Sequence, residues 1–112
     1  MAVLVASGSA LSVAANAKSA EQVAGTYQHV GAGVFTLVAR ASATGLNVTS
    51  TIGGVALAND LAIPYTGTAG GLDASAHVIA AQVLPGGRAE LTFRNTTAGA
   101  ITVDFMLFYD AM

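Results

Sequence analysis

The chain is predicted to fold as an all-β protein, an antiparallel β-sandwich of jelly-roll type with about seven or eight short strands. Three observations carry this expectation. Apolar and polar residues alternate with a period of two along most of the chain, the mark of strands buried on one face. Glycine, proline, asparagine and short polar residues interrupt that alternation about every eight to twelve residues. Finally, 54% of the residues are hydrophobic but only 6% are aromatic. A core built so largely from alanine and valine must be thin, as between two sheets about 10 Å apart.

The elements follow in chain order. Residues 2–15 (AVLVASGSALSVAA) are apolar, and Ala15-Asn16-Ala17 has the small-x-small look of a cleavage site. No Lys or Arg precedes the run, and Ser7, Gly8 and Ser9 break it, so it fits neither an export signal nor a membrane-spanning helix. It reads as an extended arm or edge strand, with two courses open: completing its own sheet or pairing with a neighbour's. Residues 16–24 (NAKSAEQVA) suit a short helix by their alanines and Glu21-Gln22, and equally a polar edge strand. Residues 1–24 are thus set apart as an arm or edge-strand region, and residues 25–112 as the sandwich, within one domain.

Gly25, Gly31 and Gly33 punctuate a turn-rich passage around Tyr27 and His29. Residues 34–43 form a strand with Phe35, Leu37, Ala39 and Ala41 inward and Thr36, Arg40 and Ser42 outward. After a turn at Thr44-Gly45, Leu46, Val48, Ser50 and Ile52 alternate with Asn47, Thr49 and Thr51. Gly53-Gly54 permits positive φ and a tight hairpin. A third strand begins at Val55, Asn59-Asp60 marks a turn or bulge, and Ile63-Pro64-Tyr65 ends or edges a sheet because proline cannot donate to a ladder. Residues 66–73 (TGTAGGLD) make the longest loop, and residues 76–83 another strand. Residues 85–109 then read as two strands joined by the turn NTTAGA. Phe93, Phe105 and Phe108, three of the four phenylalanines, lie in this hairpin, which marks it as the centre of the core.

Little here points to catalysis. His29 and His77 stand in different strands, with no carboxylate or second histidine at a ligand spacing. They read as strand-face or surface residues, and only a cleft joining one of them to an aspartate would support an enzyme. Asp60, Asp73, Asp104 and Asp110 form no calcium loop and are simplest as turn and surface residues. The serines lack the context of a nucleophile elbow, and the double glycines that of a phosphate loop. Without cysteine, disulfides, thiol catalysis and Cys-ligated zinc are excluded. Asn47-Val48-Thr49 and Asn95-Thr96-Thr97 match the glycosylation sequon, the first within a strand and the second in an accessible turn. The polar row of Asn47, Thr49 and Thr51 is too short for ice and lacks tryptophan for sugar stacking. No catalytic, metal or cofactor-binding residue is assigned.

Charge says more. Only 9% of residues are charged, against roughly 25% in an ordinary domain. Charge depletion marks the centre of protein interfaces, so much of this surface is expected to face other protein. With a net charge of −2 and four basic residues (Lys18, Arg40, Arg88 and Arg94), the chain offers no basic patch for nucleic acid. No exact repeat is visible, which argues against a solenoid or propeller.

The segments ATGLNVTSTIGGVALANDLAIPY and PGGRAELTFRNTTAGAITVDFMLFYD resemble small β-sandwich structural proteins of bacteriophage virions: jelly-roll capsid subunits and the decoration, or cement, proteins that sit on capsids. The likeness spans about residues 34–110 and rests on strands rich in glycine, alanine and threonine, few charges and no cysteine. It implies a non-enzymatic virion protein, a homo-oligomer (trimer or larger) that contacts other capsid proteins and needs no cofactor, nucleic acid or membrane. It carries over no functional residue. The alternative is a receptor- or glycan-binding β-sandwich of fibre-tip or adhesin type, with Tyr27, Tyr65 and the loop 66–73 as contacts.

Overall fold

Strand by strand, the period-two pattern becomes one row of side chains facing a shared core and one row facing away. The computed structural model describes residues 2–19, 21–23, 29–63 and 78–111. Among them are eight strands: β1 (Ala2–Val13), β2 (His29–Val30), β3 (Gly33–Ala41), β4 (Leu46–Ile52), β5 (Val55–Ala62), β6 (Val78–Leu84), β7 (Gly87–Asn95) and β8 (Ile101–Ala111). They form two four-stranded sheets, ordered β1-β8-β3-β6 and β2-β7-β4-β5, with every pairing antiparallel. First strand pairs with last, second with seventh, third with sixth and fourth with fifth. That nesting is a long antiparallel ribbon rolled over on itself, the strand order of a jelly roll.

The inward rows meet in one core. Phe35, Leu37, Ala39 and Ala41 of β3 are buried as the alternation predicts, as are Leu46, Val48 and Ile52 of β4 and Ala89, Leu91 and Phe93 of β7. From β8 come Ile101, Val103, Phe105 and Leu107. Ser50, also inward, is buried and donates its hydroxyl to the Glu90 carbonyl at 2.9 Å, so no polar group is left unpaired there.

One expectation is corrected. Residues 85–109 do not form a hairpin, because β7 and β8 belong to opposite sheets. Their connection carries the chain across the sandwich, and the two strands confront each other through their side chains. Phe93 and Phe105 meet across the core with ring centroids 5.0 Å apart and planes tilted by 56°, a geometry aromatic rings favour. The physical device is Asn95. Its buried side-chain amide donates to the carbonyls of Val13 (3.0 Å) and Gly99 (2.8 Å), while its oxygen accepts from the Thr97 backbone N–H (2.9 Å) and hydroxyl (2.8 Å). Those bonds satisfy a turn that has no ladder to close it. By contrast Gly53-Gly54 is a true hairpin between β4 and β5, with φ of 61° and 83° that side chains rarely adopt.

The amino-terminal segment takes the first of its two courses. β1 is the edge of its own sheet and pairs with β8 from Ala2↔Asp110 to Val13↔Ile101. A register shift between Leu4 and Ala6 lets Val5 and Ala6 both turn inward, which strict alternation forbids. Gly8 lies opposite Phe105, and a Cβ there would stand 2.5 Å from the ring's Cε1. The glycine that interrupts the apolar run is therefore what admits the aromatic ring.

Residues 17–19 and 21–23 are not helical. They run along the open edge of β7 as a strap: Asn95 N–H donates to Ala17, Ser19 N–H to Phe93 and Gln22 N–H to Leu91, at 2.9, 2.7 and 2.9 Å. Side chains complete the pairing, since Phe93 N–H donates to the Ser19 hydroxyl and Leu91 N–H to the Glu21 carboxylate. Helix propensities differ by only tenths of a kcal/mol per residue. An unpaired strand edge of a core element outweighs them.

Candidate functional site

The chemical residues singled out in the sequence do not converge. His29 is exposed on β2 opposite Arg88. Asp104 on β8 faces Arg40 on β3 in the adjacent strand, Nε to Oδ2 at 3.1 Å, both side chains largely covered. Asp110 is exposed near the end of β8. His77, Asp73, Tyr27, Tyr65 and the loop 66–73 lie outside the described residues. Among the described residues, no group of three or more histidines, aspartates or glutamates is gathered as a metal would need, and no helix is long and apolar enough to cross a membrane.

Asp60 is positioned by the backbone. Asn59 and Asp60 fall where the β4–β5 register slips between Val48↔Leu61 and Ser50↔Ala58, so two residues face Thr49 alone. Asp60 takes φ of 50° and donates its N–H to the Thr49 hydroxyl at 3.1 Å. The bulge turns its carboxylate over β4 toward Arg94 on β7. The guanidinium grips it through two bonds, Nε to Oδ1 at 3.1 Å and a terminal nitrogen to Oδ2 at 2.5 Å. That fork, with the attraction of opposite charges, holds the Asp60 carboxyl below its ordinary range and raises Arg94. The pair is exposed, so it orders the outer face without contributing much stability.

Neither sequon offers a free asparagine. The Asn95 amide, expected in an accessible turn, is buried and committed to Val13 and Gly99. Asn47 is half-buried near the start of β4, between β5 and β7. The pattern is local, whereas accessibility is decided by strands far away in sequence.

What the fold does assemble is a contrast between two outer faces. Over the β2-β7-β4-β5 sheet the outward residues are polar: Arg88, Glu90, Thr92 and Arg94 on β7 beside Asn47, Thr49 and Thr51 on β4. Over the β1-β8-β3-β6 sheet apolar side chains stand among Thr36 and Arg40 of β3 and Thr102, Asp104 and Asp110 of β8. Leu4, Phe108, Thr36 and Ala81 form one row across all four strands, and Val34 with Val83 extends the next. Met106 and Phe108 take outward positions on β8, so of the three phenylalanines expected at the centre of the core only Phe93 and Phe105 enter it. Outward positions of β3 and β8 carry Val34, Val38, Met106 and Phe108, of which Val34 is exposed, Met106 and Phe108 are half-buried and Val38 is fully covered.

Compared with known protein families, with curated proteins and with solved structures, the chain matches none.

Proposed function

We propose that this chain is a non-enzymatic structural protein of a phage virion, a capsid subunit or a capsid decoration protein that acts through protein–protein contacts. The observation that carries the reading is the nested jelly-roll strand order in a chain of which only 9% of the residues are charged. A fold alone does not assign a function, and jelly rolls serve both capsids and lectins. What favours assembly is the surface: charges are scarce throughout, and the apolar outward residues gather on a sheet instead of scattering. The resemblance of residues 34–110 to phage virion proteins points the same way. The receptor- or glycan-binding alternative draws on Tyr27, Tyr65 and the loop 66–73, none of them among the described residues.

Negative-stain imaging of the purified chain, paired with a glycan array, separates the two. One chain measures 40 × 26 × 21 Å. Shells, rings or discrete particles well beyond that size, with no glycan bound, are expected. Isolated particles of single-chain size that bind a defined glycan would overturn the assembly reading.

A further inference from the structure

We infer that the strap of residues 17–19 and 21–23 is a releasable cover: it opens as a local unit, with Glu21 as its latch, and bares the edge of β7 while the two sheets stay folded. The inference is independent of the virion reading and would stand if that reading failed.

The strap is held in a way that a strand is not. Ala17, Lys18 and Ser19 face Asn95, Arg94 and Phe93 one for one, in the antiparallel sense. Past Ser19 the register slips by a residue, and Gln22 N–H donates to the Leu91 carbonyl. A full antiparallel ladder would have the Phe93 and Leu91 N–H groups donate to strap carbonyls. They donate instead to the Ser19 hydroxyl at 2.9 Å and to the Glu21 carboxylate. The same carboxylate oxygen accepts the Val23 N–H at 3.2 Å, so one side-chain atom ties the far end of the strap to β7.

Such bonds are easier to release than a ladder, because a freed side chain regains rotamers that the bond had fixed. Little else pins the strap. Lys18 and Glu21 are exposed, Ala17, Ser19 and Gln22 half-buried, and Val23 alone of its described residues is buried. It begins after an exposed turn whose Asn16 takes φ of 52°, a left-handed conformation that costs most side chains energy. Strand β7 does not depend on it, since every residue from Ala89 to Asn95 keeps its partner on β4. Few buried apolar contacts and bonds near solvent are the marks of a segment that opens without global unfolding. Opening frees the N–H and C=O groups of Leu91 and Phe93, the unpaired row that a strand edge presents.

Hydrogen exchange followed residue by residue on the full chain tests this, because β7 carries its own control. The Arg88 and Glu90 carbonyls bond Gly53 N–H and the Ser50 hydroxyl, so even-numbered residues of β7 turn their backbone groups toward β4 and odd-numbered ones toward the strap. Protection of the Leu91 and Phe93 N–H groups is expected to be at least about tenfold lower than that of Thr92 and Arg94. Glu21→Ala should lower the protection of Leu91 by a further factor of about ten and leave Thr92 unchanged, since a charged acceptor is lost. Glu21→Gln keeps an oxygen acceptor and should retain most of the parent's protection. Melting curves establish that both variants fold. Equal protection at all four positions would overturn the inference, because the strap would then open only with the whole sandwich. So would a Glu21→Ala chain in which Leu91 is unchanged, or in which Thr92 loses protection to the same extent.

Discussion

Replacing Phe93 with alanine is expected to cost about 3–5 kcal/mol of stability, the usual range for deleting a fully buried aromatic ring. Phe93 has no exposed surface and stands against Phe105 at 5.0 Å. It lies on β7 between the strap, whose Ser19 it engages through its backbone, and β4, where it pairs with Val48. A cavity there touches both sheets at once and has little means of collapsing, because neither sheet can move inward without breaking its own ladder. Against a total of roughly 5–15 kcal/mol for a domain, the loss is severe. Equilibrium denaturation at one fixed protein concentration measures it, since any oligomer adds a concentration-dependent contribution. A loss below about 1 kcal/mol would contradict the inward assignment of β7.

The second large effect is expected from a chain beginning at Asn16. It lacks all of β1, and with it the core residues Val5, Ala6 and Val13 and nine register partners of β8. Burial of one aliphatic side chain is worth about 1.5–3 kcal/mol. In addition β8, the strand that carries Phe105 and Leu107, would become a raw edge, and the Asn95 amide would lose the Val13 carbonyl. The sum approaches the whole stability of a small domain. The shortened chain should therefore show no cooperative melting transition by circular dichroism. A transition and an oligomeric state matching those of the full chain would mean that β1 has no part in holding the sandwich together.

Much of the fold was legible because burial on one face leaves a local trace. The inward positions of β3 and β4 and the Gly53-Gly54 hairpin could be read directly from alternation and turn chemistry. Sheet membership leaves no such trace. Residues 88–94 and 101–109 alternate in the same way whether the strands lie side by side or face each other across the core. The expected hairpin was therefore a reasonable reading of NTTAGA and still incorrect. What settles the matter is Asn95, bound to a carbonyl 82 residues earlier in the chain. The strap is a similar case: residues 17–19 and 21–23 find their partner on β7, about 70 residues away, and no property of the segment itself announces it. The bulge that places Val5 and Ala6 inward together also hides from a strict period of two. As for the candidate surface, each outward valine was visible singly. Their alignment was not, because it depends on β1, β8, β3 and β6 becoming neighbours in that order.

The nested strand order requires the first and last strands of one chain to close the same sheet. A cysteine pair tests it most directly, because the chain has no native cysteine to compete. Ser12 and Thr102 are register partners on β1 and β8, and both are exposed. Antiparallel partners stand about 4.5–5.5 Å apart at Cα, within the span a disulfide bridges. Under mild oxidation at high dilution, Ser12→Cys with Thr102→Cys is predicted to form an intramolecular disulfide. The product would run as a compact single chain on a non-reducing denaturing gel, and each single variant would form none. Disulfide-linked dimers in place of that product would show β1 seated on a neighbour's β8 and would rule out the pairing of β1 with β8 of its own chain.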